Sequence, residues 1–420
     1  MKIVLSINAG SSSVKISVFT AEQNKTPKQI AECQISGLTA PPAQLQYARR
    51  DVQVIKSHDV ENKVETQEDA FQILLDTLTG DAELPEINDK RDISIACHRV
   101  VHGGDYTSAK VITQDTYHHI ETLSDLAPLH NAGALRIIKS CIDVLPSAIN
   151  VAYFDSQFHA TLPDHIYTYP IDQEIAKSNQ LRKYGFHGIS YSFITRSVAE
   201  FLGKDQKDLN IIALHLGSGA SACAIKGGKS WDTSMGLTPL AGLPGATRSG
   251  SVDPSLVFHY ASDVGKLSPA STKELHISVA EEILNKQSGW KALTGTTNFG
   301  VIAARAADGS DPACRLAFDL FADRIAAFVG SYYVSLGGAV DALVFAGGIG
   351  EKSARLRAVV AGQAACLGFG VDEARNARAA GAEGVVLDVG SEGARHRTLV
   401  CRTDEQFEMA RGCAEDAELW

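Results

Sequence analysis

One local plan occurs twice in this chain, about 200 residues apart, and it constrains the fold more than any other feature. Residues 3–19 read Ile-Val-Leu-Ser-Ile-Asn-Ala-Gly-Ser-Ser-Ser-Val-Lys-Ile-Ser-Val-Phe, two β-type runs around a turn of small polar residues. Residues 210–225 read Asn-Ile-Ile-Ala-Leu-His-Leu-Gly-Ser-Gly-Ala-Ser-Ala-Cys-Ala-Ile, again strand, Gly/Ser turn, strand. A turn of this kind leaves its amides and hydroxyls uncovered. In the first, Gly10 permits close approach, Ser11, Ser12 and Ser13 offer donors, and Lys15 adds a positive charge. An ordinary hairpin with a soluble turn would read the same in isolation. The pair together predicts a duplicated α/β domain whose two turns face one phosphate-bearing ligand.

Length and charge narrow the partners. A chain of 420 residues exceeds one small core and predicts two or three domains. Its formal charge of -10 disfavours nucleic acid or an anionic membrane, both of which need a positive field. Eight cysteines with no Cys-x-x-Cys pair read as reduced core thiols. The first residues lack the pattern of a secretory signal and no apolar run reaches membrane-spanning length, so the cytosol is the expected compartment.

The remaining segments supply isolated chemical groups. An amphipathic surface helix is predicted near residues 66–78, and a strand from 91 to 97 leads into His98-Arg99-Val100-Val101-His102-Gly103-Gly104. His98 and His102 have the spacing of a zinc helix, but the β-branched flanks and the Gly pair argue for strand and loop. On a strand, Arg99 and Val101 share a face, a cation beside a small apolar wall suited to a short aliphatic carboxylate. A surface Arg near a buried Val would look alike. Residues 126–133 read as a loop before a helix to about Cys141. A strand over 149–154 delivers Asp155 to its end, either at a ligand-binding edge or as a helix cap.

His187 stands in a glycine-bracketed turn, 183–188, as a phosphate donor or as part of a structural loop. Gly227-Gly228-Lys229-Ser230 mimics the end of a phosphate-binding P-loop, yet the required first glycine would be Cys223. The Gly/Pro-rich loop 238–250 carries Arg248, a solvated side chain or an oxyanion clamp. A helix over 312–336, packing on Phe318, Phe321, Ile325 and Phe328, ends at Gly337-Gly338. A strand over 341–345 then enters Gly347-Gly348-Ile349-Gly350, a turn open to a ribose or α-phosphate. Finally Asp404 and Glu405 follow a strand as a magnesium anchor or as a helix cap with a first-turn acid.

Taken in order, these segments resemble acetate kinase, in the acetate and sugar kinase, Hsp70 and actin superfamily. The resemblance rests on the 8–15 turn, the Arg99 segment, Pro128-Leu129-His130-Asn131, Phe154-Asp155, Gly185-Phe186-His187-Gly188, His215-Leu216-Gly217, Thr247-Arg248-Ser249-Gly250, Gly348-Ile349-Gly350-Glu351 and Thr403-Asp404-Glu405. It implies a two-domain actin-like α/β fold, duplicated mixed-sheet domains around a nucleotide cleft. The first domain would span 1–155, joined by about 390–420. The second, 156–389, would bind nucleotide and carry the dimer contact of a homodimer. The activity implied is reversible transfer of the ATP γ-phosphoryl to acetate, giving acetyl phosphate and ADP, with magnesium, or manganese in its place.

Position by position, the resemblance gives Asn8, Ser11, Ser13 and Lys15 to phosphate, and Arg99 and Arg248 to the carboxylate and the transferring group. His187 would steady the phosphoryl, and Asp155 and Glu405, with Asn8, would organise the metal. His215, Gly217, Ser218 and Gly219 would line the phosphate site. Asn298, Phe299 and Gly300 would contact adenosine together with Gly347, Gly348, Ile349 and Gly350. Val101, Leu129, Phe186 and Pro239 would enclose the methyl group. A carboxylic acid with a pKa of about 4.3 is already ionised at neutral pH, so no general base is needed. The task is to neutralise two anions in line, which favours direct transfer over a phosphorylated Glu405.

The chain departs from the family at Ser218, where Asn is typical, and at Asn298 and Gly300, where Asp and Arg are typical. Looser nucleotide selectivity is therefore expected, with ATP preferred over pyrophosphate. The neighbouring readings are a propionate or butyrate kinase, discriminated by Val101, and a non-catalytic ATP-gated module, which would not need Arg99 and Arg248 together.

Overall fold

β-branched and small apolar residues dominate both modules, and each folds into the antiparallel hairpin at the heart of a sheet. The computed structural model describes residues 1–420 except 11–12, 39–41, 51, 61–63, 65, 124–127, 261–262, 270 and 272–276, and except the side chains of 128–130. Two compact units result. The first is Met1–Gln157 with Asp404–Trp420, and the second is Phe158–Thr403.

In the first unit the strands are β1 (Lys2–Ala9), β2 (Ser13–Ala21), β3 (Lys28–Ser36), β4 (Gln44–Arg49), β5 (Val52–Asp59), β6 (Ile93–Val100), β7 (Lys110–Val111) and β8 (Ile149–Phe154). They lie in the order β5-β4-β3-β2-β1-β6-β8-β7. β1 pairs antiparallel with β2 and parallel with β6, β6 runs parallel to β8, and β7 closes the edge antiparallel to β8. Ile3, Leu5 and Ile7 of β1 share a core with Phe71, Leu74 and Leu75 of the helix Gln67–Thr79, which Thr66 opens with a capping box. On the other face Ser6 meets Gln406 of the helix Glu405–Glu415. The Ser6 hydroxyl donates to Gln406 O at 2.8 Å and the Gln406 amide donates to Ser6 O at 3.0 Å, both buried.

The second unit holds β9 (Ile211–Leu216), β10 (Ala220–Lys226), β11 (Lys229–Thr233), β12 (Ala342–Ala346), β13 (Val386–Asp388) and β14 (Arg397–Cys401), ordered β11-β10-β9-β12-β14-β13. This repeats the β3-β2-β1-β6-β8-β7 part of the first sheet strand for strand, including the sense of every pairing. Ile212, Leu214, Ala222 and Ala224 pack against Phe318, Phe321 and Ile325 of the helix Pro312–Ser335. The alternate residues of the hairpin, His215 and Ser221, turn to the helix Gly188–Leu202.

Two boundaries differ from the sequence reading. Residues 390–403 were expected to return to the first unit, but β14 is hydrogen-bonded parallel to β12, so the return begins at Asp404. The segment read as a loop through Gly133 is instead the first turns of a helix, Pro128–Val144, with proline at its first position where a missing N–H costs nothing.

Candidate active site

Each sheet presents its chemistry beyond the C-terminal ends of its own parallel strands, where α/β sheets bind ligands. In the first unit Asn8 comes from the end of β1, Arg99 from the end of β6 and Asp155 from just after β8. The Arg99 guanidinium donates through Nε and Nη2 to the two Asp155 oxygens at 3.0 and 2.7 Å, and through Nη1 to Asn8 Oδ1 at 3.2 Å. Glu405 completes the cluster, 3.7 Å from Arg99 Nε, and accepts from the Asn8 amide at 3.4 Å. Asp155 is 1% exposed. Burial works against the charge on Arg99, but Asp155 and Glu405 outweigh it and hold the guanidinium above its ordinary pKa.

Arg99 engages both oxygens of Asp155. The two C-terminal acids take different places. Asp404 caps the helix through Phe407 N at 2.9 Å, and Glu405 reaches the Arg99 cluster. Gly10 N donates to Ser13 O at 2.8 Å and closes the first turn, while Ser11 lies outside the described residues. Lys15 pairs across the sheet with Glu32 at 3.0 Å, a half-exposed bridge that costs little to release.

Val101 follows the last residue of β6, so strand alternation does not place it with Arg99. The next residue is clamped instead. Asn131, fully buried, accepts from His102 N at 2.9 Å and donates to His102 O at 3.0 Å, fixing the chain beside Val101. The Leu129 side chain lies outside the described residues. His98 bonds Asn150 Oδ1 at 2.8 Å, and His102 Nδ1 accepts from Gly104 N.

In the second unit the turn 217–219 lies at the end of β9, beside the glycine turn that ends β12, since Ala346 pairs with His215. Gly347 has a φ of 74°, and a Cβ there would stand 2.8 Å from Leu216 O, so only glycine lets the two turns approach. Gly348 faces open space. Arg357, fully buried, anchors this segment by donating to Gly350 O at 2.7 Å, Glu351 O at 2.8 Å and Asn376. Burial without a carboxylate partner among these bonds draws its pKa down to about 10.

The loop 238–250 folds back onto the first of these turns, with Ala246 N donating to Ser218 O at 2.9 Å. A Cβ added at Gly219 would sit 3.2 Å from Arg248 Nη1 and 3.5 Å from His187 Nε2, so one guanidinium and one imidazole flank a space that glycine leaves open. Arg248 also donates to Pro239 O at 3.5 Å. His187 adopts the left-handed conformation, φ 60°, stacks on His215 at 4.2 Å, and opens the helix Gly188–Leu202. Phe186 is 1% exposed, its carbonyl held by His159 at 3.0 Å.

In the segment 298–300, read as an adenosine contact, two side chains also have local structural uses. Asn298 is a helix N-cap that accepts from Val301 N at 3.2 Å, and Phe299 is buried in the core with Trp290, Phe318 and Phe321. Gly300 occupies the first turn of that helix.

With the geometry in place, similarity to known proteins gives it a family. The profile of the acetokinase family matches residues 3–411. A protein of Chaetomium globosum named probable acetate kinase is 65% identical over 453 residues, covering 100% of this chain and 99% of that one. Among solved structures, a propionate kinase from Francisella tularensis superposes with a TM-score of 0.83 at 32% identity, covering 98% of this chain and 99% of its own. Acetate kinase of Porphyromonas gingivalis gives 0.80 at 30% identity, with 98% of each chain covered.

Proposed function

The chain belongs to the acetokinase family, phosphotransferases with a carboxylate acceptor, and on that premise we propose that it moves the γ-phosphoryl of ATP to acetate. The observation that carries this reading is the space at Gly219, flanked by Arg248 and His187. A guanidinium and an imidazole on an open glycine turn suit the equatorial oxygens of a phosphoryl group, whose charge must be stabilised as it transfers in line. Arg99 is assigned to the carboxylate. The bonds to Asp155 and Asn8 take three of its five N–H donors.

The first cluster also fits magnesium. Among the described residues no three His, Cys, Asp or Glu side chains gather as a metal cage. Magnesium is usually held by one or two carboxylates together with substrate phosphates and water, and Glu405 with Asn8 supplies that kind of partial shell. Bound there, the ion would neutralise phosphate charge; Asp155 is assigned to organising it, besides holding Arg99. Lys15 and Ser13 are assigned to phosphate, as are His215, Gly217 and Ser218, and Gly348 and Ile349 to the nucleoside. Adenine selectivity then lacks the Asp and Arg typical of the family near 298–300, which supports a donor site tolerant of other nucleotides.

Gly219→Ala tests the carrying observation. Gly219 is not one of the left-handed glycines, so alanine is tolerated by the backbone and folding should be unchanged. Its methyl group fills the space beside Arg248 and His187. The expected result is a loss of roughly 10- to 100-fold in kcat/KM for ATP, the scale of a displaced positioning contact. Undiminished activity would show that the phosphoryl group sits elsewhere.

Acetate is favoured over longer acids by Val101, a half-buried wall whose position Asn131 sets. Val101→Ala should raise kcat/KM for propionate relative to acetate by roughly 10-fold, the value of about one methylene. An unchanged ratio would remove Val101 from the acceptor pocket. Phe186 and Pro239 are the other assigned walls, both buried in the second unit.

A homodimer is the quaternary reading. The second unit leaves Phe258, Tyr260, Leu267, Leu316 and Val334 more than half exposed, apolar side chains of the kind that a second copy could cover. Eight free thiols, seven of them buried, suit a reducing compartment such as the cytosol.

A further inference from the structure

His187 is held by side chains that the family motifs do not include. Its ring nitrogen Nδ1 lies 2.8 Å from Ser221 Oγ, and Ser221 Oγ lies 2.5 Å from the Tyr191 hydroxyl. Tyr191 stands one helical turn after His187, and Ser221 projects from β10 onto the same side as His215. Tyr191 and Ser221 are both fully buried.

Burial makes the direction of the protons decidable, because a buried O–H without an acceptor costs about 1–3 kcal/mol. Among the described hydrogen bonds the Tyr191 hydroxyl has Ser221 Oγ as its partner. If Ser221 donated to the phenol oxygen, the phenol proton would have no acceptor among those bonds. The phenol therefore donates to Ser221 Oγ. Ser221, having accepted, sends its own proton to His187 Nδ1. A neutral imidazole that accepts at Nδ1 carries its proton on Nε2.

We propose that Tyr191 and Ser221 form a relay that fixes His187 as the tautomer protonated at Nε2, the nitrogen turned to the open space at Gly219. This rests on the reading of His187 as a phosphoryl contact and deepens it. The relay makes His187 a donor on the side where an anionic oxygen would accept. Ser221 and Tyr191 are positioning residues, since they act through the imidazole.

Two further contacts support a ring set in one orientation. The left-handed backbone of His187, φ 60°, is a conformation that a non-glycine residue keeps only where its surroundings impose it. The His215 ring stacked on it is itself tied, Nδ1 to Ser190 Oγ at 2.8 Å, with Ser190 also 2.8 Å from Thr403 Oγ1.

The test is nitrogen NMR of the full chain labelled at histidine, without substrate, with His187 assigned by comparison with His187→Ala. The wild type should show His187 Nδ1 as the unprotonated nitrogen. Ser221→Ala and Tyr191→Phe should each shift the ring towards the other tautomer. In the same variants kcat should fall roughly 10- to 100-fold, the usual scale for partners that orient a functional histidine, with KM for ATP and acetate nearly unchanged. Ser221→Thr, which keeps the hydroxyl, should restore both readouts. Tyr191→Phe preserves volume, so it stands if Ser221→Ala folds poorly. A wild-type His187 protonated at Nδ1, or a tautomer indifferent to both variants, overturns the relay. A responsive tautomer combined with full kcat in His187→Ala supports the relay and overturns instead the phosphoryl role of His187.

Discussion

Arg248→Ala should lower kcat for acetyl phosphate formation by roughly two to three orders of magnitude, the usual consequence of removing one group that stabilises transition-state charge. Its stability should stay within about 1 kcal/mol of wild type, as for most substitutions outside a buried network. The asymmetry follows from how the loop is built. Backbone bonds shape it, Gly245 N to Arg248 O at 3.0 Å, Ala246 N to Ser218 O at 2.9 Å and Ser249 N to Leu284 O at 2.9 Å. None of these uses the guanidinium, which extends to the space at Gly219. Arg248→Lys keeps the charge but loses the planar fork, and should recover only part of the rate. Steady-state kinetics beside denaturant titration decide the matter. A variant that unfolds easily, or one that keeps its kcat, would contradict this placement.

Arg99→Ala should damage both properties. Activity is expected to fall by a similar two to three orders of magnitude, because the cation assigned to the carboxylate is gone. Stability should fall by about 3–5 kcal/mol, since Asp155, 1% exposed, is left as a buried charge without the partner that holds both its oxygens. The double variant Arg99→Ala with Asp155→Ala separates the two effects. With both charges removed, much of the lost stability should return while the rate does not. Recovery of activity in the double variant would mean that Arg99 serves the fold alone.

Segments with local periodicity were legible in the sequence. Both hairpins, the strand that delivers Asp155, the helix Pro312–Ser335 capped by Asp311 and the Gly347 turn carry their signals within a dozen residues. The repeat of one sheet topology in both units is the structural form of the two strand-turn-strand modules. Resemblance, more than periodicity, gathered Asn8, Arg99, Asp155 and Glu405. They lie far apart in the chain and meet only because β1, β6 and β8 run parallel and the C-terminal helix returns across them.

What stayed hidden depends on pairs that no short window contains. Phe299 sits in a segment aligned with an adenosine pocket, yet its ring fits a cluster of aromatics from the helix Pro312–Ser335. Asn298 precedes a helix, and an N-cap is the use its neighbours offered. The clamp of Asn131 on His102 joins residues on separate elements, as do the Ser6–Gln406 and Tyr191–Ser221 bonds. A serine inside an otherwise apolar strand, Ser6 or Ser221, is the signal that could have pointed to such partners. The helix from Pro128 was missed because Gly133 and the small residues before it mimic a loop.

The central claim is that this chain transfers phosphoryl groups to a short carboxylate and needs both Arg99 and Arg248 to do so. Hydroxylamine trapping of acyl phosphate measures it most directly, using acetate, propionate and butyrate with ATP, GTP, CTP or pyrophosphate and magnesium. The prediction is hydroxamate formation that favours acetate over the longer acids, accepts more than one nucleoside triphosphate, prefers ATP to pyrophosphate, and collapses in both Arg99→Ala and Arg248→Ala. ATP consumption without any hydroxamate, or hydroxamate that survives loss of either arginine, would contradict it.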